Sequence, residues 1–361
     1  MRKTGKMIGR IVLTAAGFVL AAALILILVL TVTEYRPAET EPVAHYGRAE
    51  KKLHIGDSVN VLVWNIGFGA LGDNADFFMD GGTMVKPSTK ERVEENIASI
   101  TDLLAEEAAD LVLLQEVDED TTHSYYLDER TMIALGMNQA GLSYENRMAY
   151  NFKVLFVPYP IPPIGKEQSG IVTFSAYPAS DAKRISLPCP FSYPVRLANL
   201  KRCLLVNRIP IEDTDRELVV INLHLEAYDD GTGKEAQTRV LAQLFEEEVK
   251  KGNYVIAGGD FNQTFDTVDL SMYPHQNEDL WEPGIIQTGA FSDVQCLMDT
   301  SVPTCRSLDR PYDRSDESFQ YYMIDGFLVS SNLKVEHMET VDLGFRNSDH
   351  NPLRLQVTVE R

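Results

Sequence analysis

The stretch VIAGGDFNQT (residues 255–264) joins an apolar run to a pair of glycines and then to two polar residues, Asp260 and Asn262. Alternate residues of a strand point to the same side, so this carboxylate and this carboxamide can face one point. The glycines allow another backbone or a ligand to approach closely. An isolated D-x-N is also typical of a cap or an Asx turn after a strand. The surrounding sequence has to decide between these two interpretations.

Short apolar runs alternate with a few long helices after residue 58. Apolar residues at helical spacing predict helices over 89–108 and about 235–251. Strands are predicted at VNVLVWN (59–65), LVLLQE (111–116), GIVTFS (170–175), ELVVINLHLE (217–226), NYVIAGGDFN (253–262), YMIDGFLVS (322–330) and LRLQVTVE (353–360). Several of these strands are apolar without clean alternation, which is typical of sheets buried on both faces. The pattern therefore predicts an α/β fold.

Polar residues follow these apolar runs at corresponding positions. They are Asn65, Glu116, His224, Asp260, Asn262, Asp325, Asp349 and His350. Loops at strand ends are where α/β proteins place their functional sites. Any one of these residues is equally well explained as a cap, a turn residue or a histidine satisfied in the core. Together, however, they indicate a single site.

The set suits hydrolysis of a phosphate ester. A hard cation such as Mg²⁺ takes one or two carboxylates and keeps its waters and the substrate oxygens, which Glu116 with Asn65 can provide. An attacking water needs a general base, and a histidine held by a carboxylate is suitable. Asn262 and His224 can donate hydrogen bonds to the charge that builds on the phosphoryl oxygens.

Six motifs also occur in the order found in one protein family. They are WNIGFG (64–69), LLQEVD (113–118), NLHLEA (222–227), GGDFN (258–262), IDGFLVS (324–330) and SDHNPL (348–353). By these motifs the chain is identified as a member of the endonuclease/exonuclease/phosphatase superfamily, the DNase I-like metal-dependent phosphohydrolases. The resemblance extends over residues 59–355. It implies a four-layer αββα sandwich of two packed β-sheets and a metal-dependent phosphoric ester hydrolase.

The resemblance also implies how a metal would be held. Glu116 would be the principal ligand of Mg²⁺, assisted by Asn65, with Mn²⁺ or another divalent cation as the alternative ion. Asp349 would support the metal or the histidine beside it. Asp118, two positions after Glu116, is expected behind the site or at the surface.

The remaining roles are likewise implied by the resemblance. Asp260 and Asn262 would position the nucleophile and the phosphate. His224 would contact the phosphoryl oxygens or protonate the leaving group. His350 would act as general base with Asp325 as its orienting partner. Within the family the base is assigned either to the histidine near the C-terminus or to the aspartate of GDxN, so Asp260 is the alternative.

The N-terminal segment predicts a membrane anchor. Residues 11–33 form a run of 23 without a charge, whereas a bilayer span needs roughly 20 apolar residues. A signal peptide has a shorter apolar core and a small-residue cleavage site, so an uncleaved transmembrane helix is favoured. The basic segment 1–10 predicts a cytoplasmic N-terminus. Prolines and charges at 34–57 predict a linker, followed by an extracytoplasmic catalytic domain at 58–361 of a single-pass cell-membrane protein.

The charge of the chain bears on its substrate. There are 33 Lys and Arg against 53 Asp and Glu, a formal net charge of −20. Tight nucleic-acid binding is therefore disfavoured, because it normally needs basic stripes for counterion release. A membrane anchor would hold the domain near lipids, so the expected substrate is a phospholipid headgroup or another extracytoplasmic phosphoester, as a mono- or diester. An extracellular nuclease of the same fold and an inactive binding module are the alternatives, and no protein partner is indicated.

The four cysteines leave two possibilities open. Cys189, Cys203, Cys296 and Cys305 can form two disulfides in an extracytoplasmic domain, most simply between sequence neighbours. Buried free thiols are equally acceptable. None of the spacings is typical of a metal site such as C-x-x-C.

Overall fold

The computed structural model of the chain describes residues 2–212 and 214–360. In this part of the chain the α-helices are α1 (Arg2–Val32), α2 (Lys90–Glu107), α3 (Glu129–Gln139) and α4 (Thr232–Lys250). The strands are β1 (Thr40–Pro42), β2 (His45–Gly47), β3 (Ser58–Asn65), β4 (Leu111–Asp118), β5 (Glu145–Val157), β6 (Gly165–Ser175), β7 (Asp181–Ser186), β8 (Cys203–Pro210), β9 (Glu217–His224), β10 (Tyr254–Asp260), β11 (Gln263–Phe265), β12 (Gly284–Ile286), β13 (Val294–Leu297), β14 (Cys305–Arg306), β15 (Tyr321–Tyr322), β16 (Asp325–Ser330), β17 (Leu333–Thr340) and β18 (Leu353–Val359). The helices predicted over 89–108 and about 235–251 correspond to α2 and α4.

Most of the strands belong to two seven-stranded sheets. The first sheet has the order β1-β7-β8-β9-β10-β16-β13, and the second sheet has the order β17-β18-β3-β4-β6-β5-β2. Each contains one central parallel pair, β9 with β10 and β3 with β4. The other neighbours in both sheets are antiparallel. Because the two strands of a parallel pair run in one direction, their carboxyl ends meet at the same edge of the sheet.

Both faces of the central strands are buried, which explains their continuous apolar sequences. In β3, Val61 and Val63 point into the space between the two sheets. Leu62 and Trp64 point to the other side, where they pack with residues of α2 and α3. A strand covered on both faces has few solvent-facing positions, so a polar residue along it needs buried hydrogen-bond partners, as Asn222 has in β9.

Three apolar layers hold the sheets and helices together. The first lies between the sheets, where Val63 and Leu113 meet Val220 and Ile256. Another layer lies between the outer face of the second sheet and the helices α2 and α3. The last layer lies between the outer face of the first sheet and α4, which packs there through Phe245. The order helix, sheet, sheet, helix confirms the four-layer αββα sandwich.

The glycine pair of VIAGGDFNQT is required by close packing around β10. A Cβ atom on Gly258 would lie 2.8 Å from the ring of Phe327 and 2.9 Å from Val63. A Cβ atom on Gly259, whose φ is +147°, would lie 2.0 Å from the carbonyl oxygen of Leu223 on the neighbouring strand. The glycines therefore let β10 approach both the facing sheet and β9 just before the polar residues begin.

The segment 34–57 differs from the linker expected from its composition. It contains β1, which pairs with β7 at an edge of the first sheet, and β2, which pairs with β5 at an edge of the second sheet. Each strand has three residues and is largely exposed. Strands this short, with a proline in β1, carry no apolar period that sequence reasoning can detect.

The N-terminal helix α1 is long and apolar enough to cross a membrane over Lys6–Val32. It already begins at Arg2, because the basic residues before the apolar run are also good helix formers. Most of its described side chains are exposed, but Leu30 is buried against Val157 and Leu197. The C-terminal end of α1 is thus packed against the globular part of the chain.

All four cysteines are free thiols. Cys203 and Cys305 are buried, Cys296 is half-buried and Cys189 is exposed. Of the two possibilities left open by the sequence, the structure therefore has the free thiols.

Candidate active site

The ends of four central strands bring the site together. Asn65 is the last residue of β3, His224 ends β9 and Asp260 ends β10. In the register of the first sheet Asp260 lies beside His224 on one strand and beside Asp325 on the other. Asn65, from the second sheet, reaches across to donate a hydrogen bond to Asp260. The site is therefore built from both sheets at one end of the sandwich.

One oxygen of Asp260 is the point on which the site converges. Its Oδ2 accepts a hydrogen bond from Nδ2 of Asn65 at 3.0 Å. The same oxygen lies 3.5 Å from Nε2 of His224 and 3.8 Å from Nε2 of His350. Asp260 is buried, and this burial, together with the carboxylate of Asp325, raises its pKa to about 6. Three polar side chains from distant parts of the sequence thus meet at a single carboxylate.

Asn262 reaches the site in a different way from the one expected. The strand β10 ends at Asp260, and Asn262 has a left-handed backbone with a φ of +50°. Its backbone N–H donates to Oδ1 of Asp260 at 2.8 Å, and its Nδ2 donates to the carbonyl oxygen of Leu225 at 2.9 Å. The expectation of two side chains on the same side of an extended strand is therefore wrong. The Asx turn is present, and it forms part of the site.

His350 and Asp325 form a buried pair. Nδ1 of His350 lies 2.8 Å from Oδ2 of Asp325. The backbone carbonyl of His350 accepts a hydrogen bond from the indole of Trp64 at 2.9 Å, which fixes the segment to β3. Burial disfavours the charged imidazole, but the neighbouring Asp325 carboxylate outweighs burial and raises the pKa of His350 well above its usual value. The pair therefore holds the imidazole in one orientation, with Nε2 turned towards Asp260.

Glu116 projects from a β-bulge. The register between β4 and β6 shifts after Leu114 and resumes at Val117, and Glu116 has a φ of +54°. Its side chain is 22% exposed, whereas that of Asp260 is 2% exposed. Burial and the carboxylate of Asp349 raise the pKa of Glu116 to about 8. A bulge that aims one carboxylate into a cavity beside others is a common device at functional sites.

The family assignment is decided by a match over most of the chain. The profile of the Endonuclease/Exonuclease/phosphatase family matches residues 62–350. The chain belongs to this family. The chain is therefore a phosphoesterase of this family, and its buried Asp and His cluster, which lies within the matched range, is consistent with a metal-dependent hydrolase.

Solved structures of the family share the fold of this chain. An endonuclease/exonuclease/phosphatase from Beutenbergia cavernae is 18% identical, with a TM-score of 0.56 over 84% of this chain and 72% of that one. The family protein from Leptotrichia buccalis is 14% identical, with a TM-score of 0.53 over 83% and 99% of the two chains. That from Bacteroides vulgatus is 14% identical, with a TM-score of 0.52 over 84% and 100%. No curated protein sequence matches the chain.

The side chains beside Glu116 are suited to a hard cation. Glu116, Asp349 and Asn65 present carboxylate and carboxamide oxygens, the ligands that Mg²⁺ prefers. Burial and the carboxylate of Asp349 raise the pKa of Glu116, and burial also raises the pKa of Asp349. A bound cation would relieve this unfavourable arrangement of negative charge, so the residues fit the divalent cation on which the family depends.

Among the described residues, two groups of three His, Cys or acidic side chains have ligand atoms within 4.8 Å of one another, namely Asp260 with Asp325 and His350, and Cys305 with Asp349 and His350. In the first group the hydrogen bond between Asp325 and His350 already occupies a ligand atom of each. In the second, burial raises the pKa of Cys305 to about 12, so this thiol keeps its proton and is a poor ligand. Asp349 is therefore better matched to a cation shared with Glu116.

A buried ionic cluster behind Glu116 was only partly anticipated. Asp118 is fully buried, and its Oδ2 lies 2.9 Å from Nε2 of His123. Nδ1 of the same histidine lies 3.1 Å from Oε1 of Glu167. The acidic residue could be noticed because it is part of LLQEVD. His123 and Glu167 carry no motif of their own, and only the fold shows that they meet.

Four further polar residues that line the cavity above the site were not predicted, namely Asp80, Arg202, Glu226 and Tyr228. Tyr228 donates a hydrogen bond to Oδ1 of Asp80 at 2.7 Å, which joins two loops across the cavity. Arg202 is buried, lies 3.8 Å from Glu226 and donates to the backbone carbonyl of His224 at 3.4 Å. Glu226 belongs to the motif NLHLEA, and the other three residues lie outside the six motifs. No local sequence pattern distinguishes those three from surface residues.

The two sheets are tied together directly behind the bulge by Asn222. Its Nδ2 donates to the carbonyl oxygens of Leu114 at 3.1 Å and Val172 at 2.9 Å, both on the second sheet. Its Oδ1 accepts from Nε2 of Gln115 at 2.8 Å. The carboxamide therefore satisfies buried polar groups next to the irregular backbone that presents Glu116.

We expect Asn222→Leu to destabilise the protein by about 2–4 kcal/mol, because it leaves several buried polar groups without their partner. The matched control is Asn207→Leu on β8, whose buried side-chain nitrogen has no hydrogen-bond partner within 2–212 and 214–360. This control should change stability by less than about 1 kcal/mol. Urea unfolding of the full chain in detergent measures both. Equal effects of the two substitutions would contradict the role of Asn222.

Proposed function

We propose that the chain is a membrane-anchored, extracytoplasmic phosphoesterase that hydrolyses the headgroup ester of a phospholipid with Mg²⁺ as its cation. The observation that supports the hydrolytic part best is the convergence of Asn65, His224 and His350 on one oxygen of Asp260. This arrangement presents hydrogen-bonding groups and a carboxylate to one small volume. A water attacking phosphorus requires such a volume.

Glu116, Asp349 and Asn65 would hold the cation. The carboxamide oxygen of Asn65 accepts one hydrogen bond, from the backbone N–H of Gly67 at 3.1 Å, and keeps a second lone pair. When bound, Mg²⁺ would stabilise the negative charge on the phosphoryl oxygens as a Lewis acid. Asp325 and His350 then remain free for proton transfer.

His350 is the favoured general base. It would act in its neutral form, in which Nδ1–H is directed at Asp325 and Nε2 keeps the lone pair that takes a proton from the attacking water; because the pKa of His350 is raised, this form is favoured towards higher pH. Asp325 stabilises the imidazolium that forms, which is the direction in which the pKa of His350 is shifted. The water oxygen forms the new bond to phosphorus while the bond to the leaving oxygen breaks. Asp260, whose Oδ2 faces Nε2 of His350 at 3.8 Å, can accept the second hydrogen bond of that water.

His224 is better suited to stabilise charge than to protonate the leaving group. Its Nε2 faces the carboxylates of Asp260 and Glu116, at 3.5 and 3.9 Å, so the proton belongs on this nitrogen. Burial, Arg202 and His350 lower its pKa well below the usual value, so the imidazole is neutral. A neutral N–H donates a hydrogen bond to a phosphoryl oxygen but is a weak acid.

The shape of the cavity supports an amphipathic substrate. A cavity of about 980 Å³ contains Glu116, Asp260 and His350 in its wall and continues along apolar side chains such as Phe78 and Leu197. The net charge of −20 opposes binding of a polyanion such as a nucleic acid. A lipid phosphoester has both a charged and an apolar part.

The membrane placement is supported by α1. Its apolar stretch Lys6–Val32 is exposed along most of its length, and an apolar helix of this kind needs a lipid environment. Basic residues lie before it and Glu34 follows it, which favours a cytoplasmic N-terminus and an extracytoplasmic catalytic domain.

We expect hydrolysis by the purified full chain to fall by at least about a hundredfold in excess chelator and to return with Mg²⁺. Glu116→Gln should lower kcat by about 10²–10³-fold in Mg²⁺. It should not lower the unfolding midpoint without metal, because it removes one of several clustered carboxylates. Full activity in chelator would contradict the metal-dependent reading of the site.

The same assay separates the alternatives. Phospholipid, nucleotide, nucleic-acid and sugar phosphates form the substrate panel. Preferential hydrolysis of nucleic acid would support the nuclease instead. A folded chain that hydrolyses none of the panel, with or without Mg²⁺, would support a binding module.

His350→Ala and Asp325→Asn should each lower kcat by about two to four orders of magnitude, because the base needs its orienting partner. The double variant should be little slower than His350→Ala alone, since the two residues act as one unit. Single-turnover rates measure the cycle. Fully additive losses would mean that the residues act independently, and Asp260 would then become the preferred base.

Cys189 provides a test of the topology without added residues, because it is the exposed one of the four free cysteines. A membrane-impermeant maleimide should label it in intact cells, as expected for an extracytoplasmic domain. Cys189→Ser should abolish this labelling. If labelling appears only after the membrane is broken, the domain is on the cytoplasmic side.

A further inference from the structure

The cavity above the active site does not end within the globular part of the chain. Its lining includes Leu26, Ile27 and Leu30 of α1 as well as the catalytic residues. These three positions lie on one face of the helix, as residues three and four apart do. Other residues of the same helix, such as Leu24 at 58% exposed, point away from the domain. The N-terminal helix is therefore part of the wall of the active-site cavity.

The wall facing α1 is also apolar. We use the term apolar end for the part of the cavity lined by Leu26, Ile27, Leu30, Phe152, Val157 and Leu197. These side chains form one cluster, in which Leu30, Val157 and Leu197 are buried. An apolar lining of this kind excludes water and favours hydrocarbon.

The end of α1 is held in place by polar contacts as well. Glu34 is nearly buried, and its carboxylate lies 3.3 Å from Nε of Arg196 and 3.5 Å from Nζ of Lys201. Both basic residues flank Leu197, which lines the apolar end. These ion pairs hold the C-terminal end of the helix against the wall of the cavity. A flexible tether would not require such contacts.

We propose that the apolar end binds the hydrocarbon chain of the substrate, so that α1 is an element of the active site as well as an anchor. This proposal rests on the proposed function, because it assumes a phosphoester with an apolar substituent. Leu26, Ile27 and Leu30 lie at the C-terminal end of the apolar stretch Lys6–Val32 itself, so a lipid tail can remain in apolar surroundings along α1 while its phosphate reaches Asp260. The total volume of about 980 Å³ is at the upper limit of ordinary ligand pockets, which run to about 1,000 Å³.

The test compares two para-nitrophenyl phosphodiesters, one with an ethyl and one with an octyl substituent. The full chain is reconstituted in vesicles of digalactosyldiacylglycerol, which contain no phosphoester, with Mg²⁺ present. The measured quantity is the ratio of kcat/KM for the octyl ester to that for the ethyl ester. We expect a ratio of at least about ten for the unaltered chain, since burial of each additional methylene contributes to binding.

Leu26→Trp fills the apolar end and should reduce this ratio by about fivefold or more. Leu24→Trp introduces the same side chain on the exposed side of the same helix and should leave the ratio unchanged. Partition of the octyl ester into the vesicles affects both variants equally. Leu26→Ala leaves the apolar end open and should retain most of the preference for the octyl ester. It therefore separates a blocked apolar end from a loss of packing of the helix.

The outcomes distinguish this proposal from the proposed function. Equal ratios for Leu26→Trp, Leu24→Trp and the unaltered chain would overturn the hydrocarbon site while leaving the phosphoesterase intact. An equal fall in the two tryptophan variants would also overturn it, because the effect would then come from the helix in general. If the unaltered chain hydrolyses neither this pair nor a phospholipid, the proposed function is wrong and the hydrocarbon site falls with it.

Discussion

The hydrogen bonds of Asn222 are the interaction on which the geometry of the site depends. This carboxamide lies between the sheets, where a polar group is stable only if its partners are all present. Its partners are Leu114, Val172 and Gln115, which flank the bulge that presents Glu116. The two halves of the active site come from different sheets, so their spacing is set where the sheets are joined. Asn222 joins the sheets through Gln115, the residue that precedes Glu116.

Negative charge is the second constraint on the site. Glu116, Asp260, Asp325 and Asp349 are gathered in a region with little access to water, which is unfavourable without compensation. The chain compensates in two ways. Asp325 is paired with an imidazole, and Asp260 accepts hydrogen bonds from Asn65 and the backbone. In the described part of the chain the Glu116 carboxylate accepts no hydrogen bond, and Nε2 of His224 lies 3.9 Å from it, which is consistent with a role as cation ligand.

The sequence was most informative where strands end. Asn65, His224 and Asp260 each end a central strand that is largely buried on both faces, and these positions, taken together with the other strand-end residues, indicated a single site. The conformation of Asn262 could not be predicted, because a left-handed residue after a strand has the same sequence pattern as an extended one. Contacts over long sequence separations were also missed, such as Leu30 with Leu197, since they depend on how the whole fold closes.

The role of Asn222 illustrates the same limit within a recognised motif. The residue belongs to NLHLEA, but the motif was read for its histidine. An asparagine in an apolar strand is a visible anomaly, because a buried carboxamide requires several partners. The identity of those partners was not accessible, since two of them are backbone carbonyls of the other sheet.

The two short strands between α1 and the domain have a consequence for how the sheets behave in isolation. β1 and β2 each pair with three residues of the outer strands β7 and β5, so a short edge strand from the same connecting segment borders part of each sheet. A polypeptide that started at the first recognisable strand, β3, would leave both of those borders with unpaired N–H and C=O groups. Open borders of this kind recruit strands from other molecules. Self-association by edge pairing is therefore suppressed by the very segment whose composition resembles a spacer.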